Sequence, residues 1–216
     1  MIAGLFSFIS DLTERLGEWA GNWWFLAVIF VIAYLDSVVP IVPSETMVII
    51  GGVAVATGDA GYPLYAVIIA GAVGAFLGDN TAYAIGRLFS DRFERRAERK
   101  PRFALRLRWA SDQIRQRGGL LLITARFIPG GRTALTLSSG ITKQPRFWFV
   151  RWVAVACVIW ASYAAGLAFA IGKPLEDNHT AAFWVAFGTA LSINVLIELY
   201  RHFRRDRSKV IAPEMT

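Results

Sequence analysis

Apolar runs of two kinds alternate along the chain: some are long enough to cross a membrane, and others are broken in the middle by charge and by helix-breaking residues. Residues 64 to about 86 and 147 to about 172 are of the first kind, and each predicts a transmembrane helix spanning a ~30 Å hydrocarbon core at 1.5 Å per residue. A third such run covers 181 to 200, after the polar turn 173–179. A run that starts at the Trp23-Trp24 pair is interrupted by Asp36-Ser-Val-Val-Pro-Ile-Val-Pro-Ser-Glu45 and resumes to about Thr57. Leu120 to Ile141 is interrupted by Arg126-Phe-Ile-Pro-Gly-Gly-Arg132. Pro40, Pro43 and Pro129 remove backbone donors, and Gly130 and Gly131 lower helix propensity, so each broken run reads as two half-helices meeting at a turn. Ser44 and Glu45 suit the opening of the second half-helix. The pattern therefore predicts an all-α integral membrane protein, with transmembrane helices and two opposed re-entrant helical hairpins, at about 36–56 and 118–142, in an inverted repeat.

The remaining pattern frames that core. Residues 1–20 have the helical periodicity of an amphipathic interfacial helix, with Leu5, Phe6, Ile9, Leu12 and Leu16 set among charges. A signal peptide is not expected, because no positive charge precedes Arg15. Residues 21–200 read as one transmembrane domain, and 201–216 as a basic tail. In the first long span, Gly71, Gly74 and Gly78 fall on one face and allow a close helix approach. Asp79 follows, one turn before Tyr83, so a carboxylate to phenol hydrogen bond within the helix is feasible. Asp79 and Tyr83 are expected as supporting residues, with a structural and a functional role for Asp79 both open.

Composition agrees with a membrane class: 55% of the 216 residues are hydrophobic, and the mean hydropathy is +0.45. The formal net charge of +7 would suggest nucleic acid on a soluble fold. Here eleven basic residues against four acidic ones lie in the loop 87–117, which matches the whole excess and reads as a cytoplasmic positive-inside loop. No nucleic-acid partner is expected. The basic tail is placed on the same side, and the loops 57–63 and 173–179, poor in Lys and Arg, on the other. The one cysteine, Cys157, lies in an apolar helix and is expected to pack. No metal or cofactor is expected, since His179 and His202 are isolated.

Four ionisable groups then stand where lipid would make them costly, by at least ~2.5 kcal/mol each on insertion scales. Arg126 and Arg132 present planar forks of donors suited to phosphate oxygens. Asp36 and Glu45 are the candidate proton-coupling acids: they pair with the arginines when the site is empty and take up protons when a phosphate competes for them. Ser44 supports them. A structural ion-pair network, a proton-coupled exporter of small cations or drugs, a lipid phosphatase and a scaffold without transport are the competing readings. The phosphatase reading lacks a nucleophile better than Thr133, Thr136, Ser138 or Ser139.

These motifs resemble one family. Arg126-Phe-Ile-Pro-Gly-Gly-Arg132 is similar to the arginine motif of the DedA family of bacterial membrane proteins, also called VTT or SNARE-associated domain proteins. The acidic stretch from Asp36 through Pro43-Ser-Glu45 resembles that family's paired acidic positions, and Gly78-Asp79 through Tyr83-Ala-Ile-Gly-Arg87 its first-half helix motif. The resemblance covers about Asp36 to Gly172. It implies a proton-motive-force-dependent lipid transporter of the bacterial cytoplasmic membrane, serving the cell envelope. The implied cargo is undecaprenyl phosphate, or phosphatidylethanolamine in other members. Membrane lipids and protons are the expected partners, with a homo-oligomer left open.

Overall fold

The structure is a computed structural model, and it describes residues 19–39, 44–100, 118–127 and 131–175, with 105, 111, 112, 114, 116, 185, 188, 189 and 192. The expected amphipathic helix up to residue 18, the span 181–200 for the most part, the tail, and Pro40, Pro43, Pro129 and Gly130 lie outside the described residues. Every element among the described residues is helical. In chain order they are α1 (Trp24–Val38), α2 (Ser44–Ala56), α3 (Leu64–Leu88), α4 (Ser90–Arg99), α5 (Leu120–Thr124) with a 3-10 turn (Ala125–Phe127), α6 (Gly131–Ile141), and α7 (Arg146–Gly172) with a 3-10 turn (Lys173–Leu175).

Helix lengths follow the breakers. Val39, which precedes Pro40, is extended at φ −130°, ψ 99° and ends α1, because the proline ring disfavours helical geometry in the residue before it. Ser44 and Glu45 open α2, where a carboxylate in the first turn favours the helix dipole. With 15 and 13 residues, α1 and α2 reach only about 22 and 20 Å, too short to span alone. α6 has 11 residues. By contrast α3 and α7, opened by Pro63 and Pro145, have 25 and 27 residues and are apolar enough to cross a membrane.

α3 shows why these helices belong in lipid. Its outward stripe is Tyr65, Ile69, Val73 and Leu77, large apolar side chains that stay exposed, while its inward face is Gly71, Gly74, Ala75, Gly78, Asp79, Ala82 and Gly86. A water-soluble helix would put the large residues inside; small residues inside let backbones approach in a bilayer. A Cβ on Gly74 would meet the backbone of Phe30, and one on Gly78 would meet Ser37 and the Tyr34 carbonyl. Gly86 and Gly140 do the same between α3 and α6: Cβ atoms there would strike Leu137 and the Tyr83 to Arg87 backbone.

The packing is exchange-symmetric. α1, the first arm of the first broken run, lies mainly on α3, and its second arm, α2, lies mainly on α7. In the second broken run, α5 lies on α7 and α6 lies on α3. Each broken run thus straddles both long helices, with one arm on the long helix of its own half and the other across. The apolar core fills the space between, from Phe25, Ile29 and Val48 to Phe149, Val153 and Trp160.

Candidate phosphate site

Where the two broken runs meet α3 and α7, the structure buries a chain of alternating charges. Arg126, in the 3-10 turn after α5, donates from NH1 to Asp79 Oδ2 of α3 at 2.5 Å, with side-chain exposures of 2% and 0%. Arg132, in the first turn of α6, lies with Nε 3.8 Å from Asp79 Oδ1 and NH2 3.0 Å from Asp36 Oδ2 of α1. Ser44 Oγ, at the start of α2, donates to that same Asp36 oxygen at 2.5 Å. The sequence Arg126, Asp79, Arg132, Asp36, Ser44 therefore links both broken runs through one carboxylate of a spanning helix. Two arginines and two aspartates balance.

Apolar and backbone groups fix this chain in position. The Arg126 guanidinium lies over the Trp160 ring of α7 at 5.4 Å, a cation–π contact that holds its plane. Thr133 Oγ1 donates to the Ser37 carbonyl at 3.4 Å, which ties the turn after Arg132 to the end of α1. Ser37 Oγ donates to the Ala33 and Ala75 carbonyls. Cys157 packs as expected and brings its Sγ to 3.8 Å from Asp79 Oδ2. Two donors of Arg126, Nε and NH2, are buried and have no hydrogen-bond partner among the described residues. Buried guanidinium donors are costly to leave unused, so a ligand with oxygen acceptors fits here.

Two expectations need correcting. The hydrogen bond from Tyr83 to Asp79 is not formed: the Tyr83 ring stacks on Phe149 at 4.4 Å, and its hydroxyl donates to the Gln144 carbonyl at 2.6 Å. A residue one turn away on a helix lies alongside, but stacking and a backbone acceptor draw this phenol to α7 and the α6–α7 turn. The second concerns pairing, since the partner of Arg126 is Asp79 and only Arg132 reaches Asp36. Asp79, expected as a support, is the hub. Its signal was in the sequence, because Asp79 shares a helix face with Ala75, Ala82 and Gly86, the small-residue face that must meet another helix. Glu45 stands at the head of α2, within electrostatic reach of Tyr163 of α7.

A second polar cluster ties the α6–α7 turn to α4. Lys143 takes the left-handed conformation, φ 54°, that closes α6, and its Nζ lies 3.1 Å from Asp91 and 2.9 Å from Glu94. Hydrogen bonds to Lys143 hold the Asp91 carboxyl below its ordinary range, and bonds to Glu94 and Asp91 raise Lys143 above its own. At the opposite end of α3, the Tyr62 hydroxyl donates to the Ala20 carbonyl at 2.5 Å, and burial pushes its phenol up to about 12.

Comparison with known proteins gives the family. The model of the VTT domain matches residues 39–170, more than half of the chain and the region that holds both arginines and Asp79. The chain belongs to the DedA family. Protein DedA of Escherichia coli K12 is 21% identical over 210 residues, 94% of this chain and 96% of its own. Undecaprenyl phosphate transporter A of Bacillus subtilis is 26% identical over 166 residues, covering 75% and 81%. An alkaline phosphatase-like protein of Lactococcus lactis subsp. cremoris is 25% identical over 181 residues, covering 78% and 84%. No solved structure matches. This DedA-family chain is a helical membrane protein.

Proposed function

We propose that the protein carries a phosphate-bearing lipid, undecaprenyl phosphate first among the candidates, across the bacterial cytoplasmic membrane with a proton coupled to the movement. The observation that carries this reading is the buried chain from Arg126 to Asp36, with two Arg126 donors that have no partner among the described residues. Arginine forks match phosphate oxygens, and a low-dielectric surrounding strengthens each bond. The name of the Bacillus subtilis relative supports the same lipid class.

The cycle starts from the balanced site. A lipid phosphate competes with Asp36 for Arg132, and Asp36, with Glu45 as the second acceptor, takes up a proton as it leaves the guanidinium. Release of Asp36 loosens the link between α1, α2 and α6, because Arg132, Asp36 and Ser44 belong to those three helices. One hairpin, about 36–56 or 118–142, then moves relative to the other and exposes the site to the opposite face. The packing of the four arms supports an inverted repeat, and the excess of Lys and Arg in the loop 87–117 and in the tail is the reason for putting both on the cytoplasmic side of a single domain 21–200.

A phosphatidylethanolamine carrier is the second reading, favoured by Asp79: lying against both arginines, it cancels part of the charge that would otherwise select a doubly charged monoester. An exporter of small cations fits less well, because buried guanidiniums flank both aspartates. Neither is the chain proposed as a phosphatase: Thr133, Thr136 and Ser139 spend their hydroxyl protons on backbone carbonyls.

Translocation in proteoliposomes tests the reading. Labelled undecaprenyl phosphate and labelled phosphatidylethanolamine would be followed with and without a proton gradient, for wild type and for Arg126→Ala and Arg132→Ala. Arginine-dependent movement of either lipid names the cargo. Folded protein that moves neither lipid faster than empty vesicles do ends the proposal.

A further inference from the structure

The two arginines and the two aspartates are not equivalent, and the difference bears on the ligand's charge. Asp79 is fully buried on a spanning helix, bonded to Arg126 and close to Arg132, so it stays when a ligand arrives. Asp36 is the exchangeable partner: its side chain is 17% exposed, it sits two residues from the end of α1 at Val38, and among the described residues it is held by the outer arginine and Ser44. The groups that act on Arg126 electrostatically are Asp79, Cys157 and Asp36. Facing Asp79 from the packed elements are Arg126 of the 3-10 turn, Arg132 of α6, Asp36 of α1 and the Cys157 thiol of α7, with Glu45 at the head of α2 within electrostatic reach of Tyr163 and Tyr83 turned to Gln144. Once Asp36 has left, two guanidiniums and one fixed carboxylate carry one net positive charge.

We propose that Asp79 sets the charge of the phosphate the site accepts, restricting it to a group with a single negative charge, either a phosphodiester headgroup or a monoester that keeps one proton. This deepens the reading above and rests on it. The ligand replaces Asp36 one for one: its oxygens take the place of Asp36 on Arg132 and bind the Nε and NH2 donors of Arg126, which have no partner among the described residues. A doubly charged monoester leaves one negative charge uncompensated in a dry site, which is strongly unfavourable. Asp79 is thus a specificity-determining residue that acts through the arginines it holds.

Titration calorimetry of the full chain in detergent tests this with farnesyl phosphate, a monoester, and its methyl diester, which has the same tail and one charge at every pH. The second ionisation of a phosphate monoester lies near pH 6, so the monoester-to-diester affinity ratio of wild type should fall about 50-fold from pH 6 to pH 8. Groups on the protein cancel in that ratio. Asp79→Asn should hold the ratio level or raise it, whereas Asp36→Asn should tighten both probes and leave the fall in the ratio intact. A wild-type ratio that stays level or rises with pH overturns the proposal, and this arm decides alone if Asp79→Asn does not fold on size exclusion. Binding of neither probe sinks the phosphate reading itself. Inorganic phosphate bound as tightly as farnesyl phosphate overturns a lipid as the source, leaving the charge rule to be read from its own pH profile.

Discussion

Arg126→Lys separates the two jobs this residue is given. Arg126 binds Asp79 through NH1, and its Nε and NH2 have no partner among the described residues. A lysine carries the same charge but concentrates it at one nitrogen, which in this buried position has to stay with Asp79. The ion pair survives and the fold is kept. What is lost is the pair of bonds to the ligand, and each hydrogen bond to a charged group contributes about 1.5–3 kcal/mol. Two of them amount to about 3–6 kcal/mol, roughly two to four orders of magnitude in affinity. Arg126→Leu behaves differently: it leaves Asp79 without its closest counter-charge, and breaking a buried pair in this way costs about 3–5 kcal/mol of stability. Calorimetric titration with farnesyl phosphate, together with thermal unfolding in detergent, reads both effects. Arg126→Lys that binds farnesyl phosphate within about fivefold of wild type would show that the free donors do not contact the ligand.

Other consequences follow from the packing and the outer polar groups. Gly140→Ala should destabilise by about 1–3 kcal/mol, measured by thermal unfolding, because its Cβ would strike the backbone of α3 between Tyr83 and Arg87 and push α6 and Arg132 away from Asp79. Absorbance at 295 nm should show a tyrosine titration near 12 that is absent in Tyr62→Phe. Because that phenol is raised in the folded state, its contribution to stability is complete below pH 10 and is lost as the pH rises from about 10 to about 12. The Lys143 to Asp91 link runs the other way at each end. Asp91 is lowered, so its contribution is present above the ordinary value of 3.8 and lost as the pH falls below that; Lys143 is raised, so its part is present below the ordinary 10.5 and lost as the pH rises above it. Between pH 5 and 9, unfolding of wild type and Lys143→Ala should differ by a constant amount that shrinks with salt.

The sequence by itself determined the solvent and the breaks. The apolar runs 64 to about 86 and 147 to about 172 can be stable only in a core or a bilayer, and a chain that is 55% hydrophobic with a mean hydropathy of +0.45 points to the bilayer. Where α1 ends was legible at Pro40, since the effect of a proline on the residue before it is local and needs no tertiary partner. That Arg126 and Arg132 need buried partners was legible, because isolated charge in an apolar run demands one, whatever the fold.

The tertiary structure alone decided which partner. Asp79 lies 47 residues from Arg126 in the chain, and each residue turns a helix by about 100°, so the carboxylate that meets a guanidinium depends on how α3 is rotated against α1, α6 and α7. Gly74, Gly78, Gly86 and Gly140 set that rotation through backbone contacts that form only in the assembled fold. The same rotation carries Tyr83 to Phe149 and Gln144, away from the acid one turn before it. Local pattern names the charged residues; pairing among them is a long-range property, fixed by close packing.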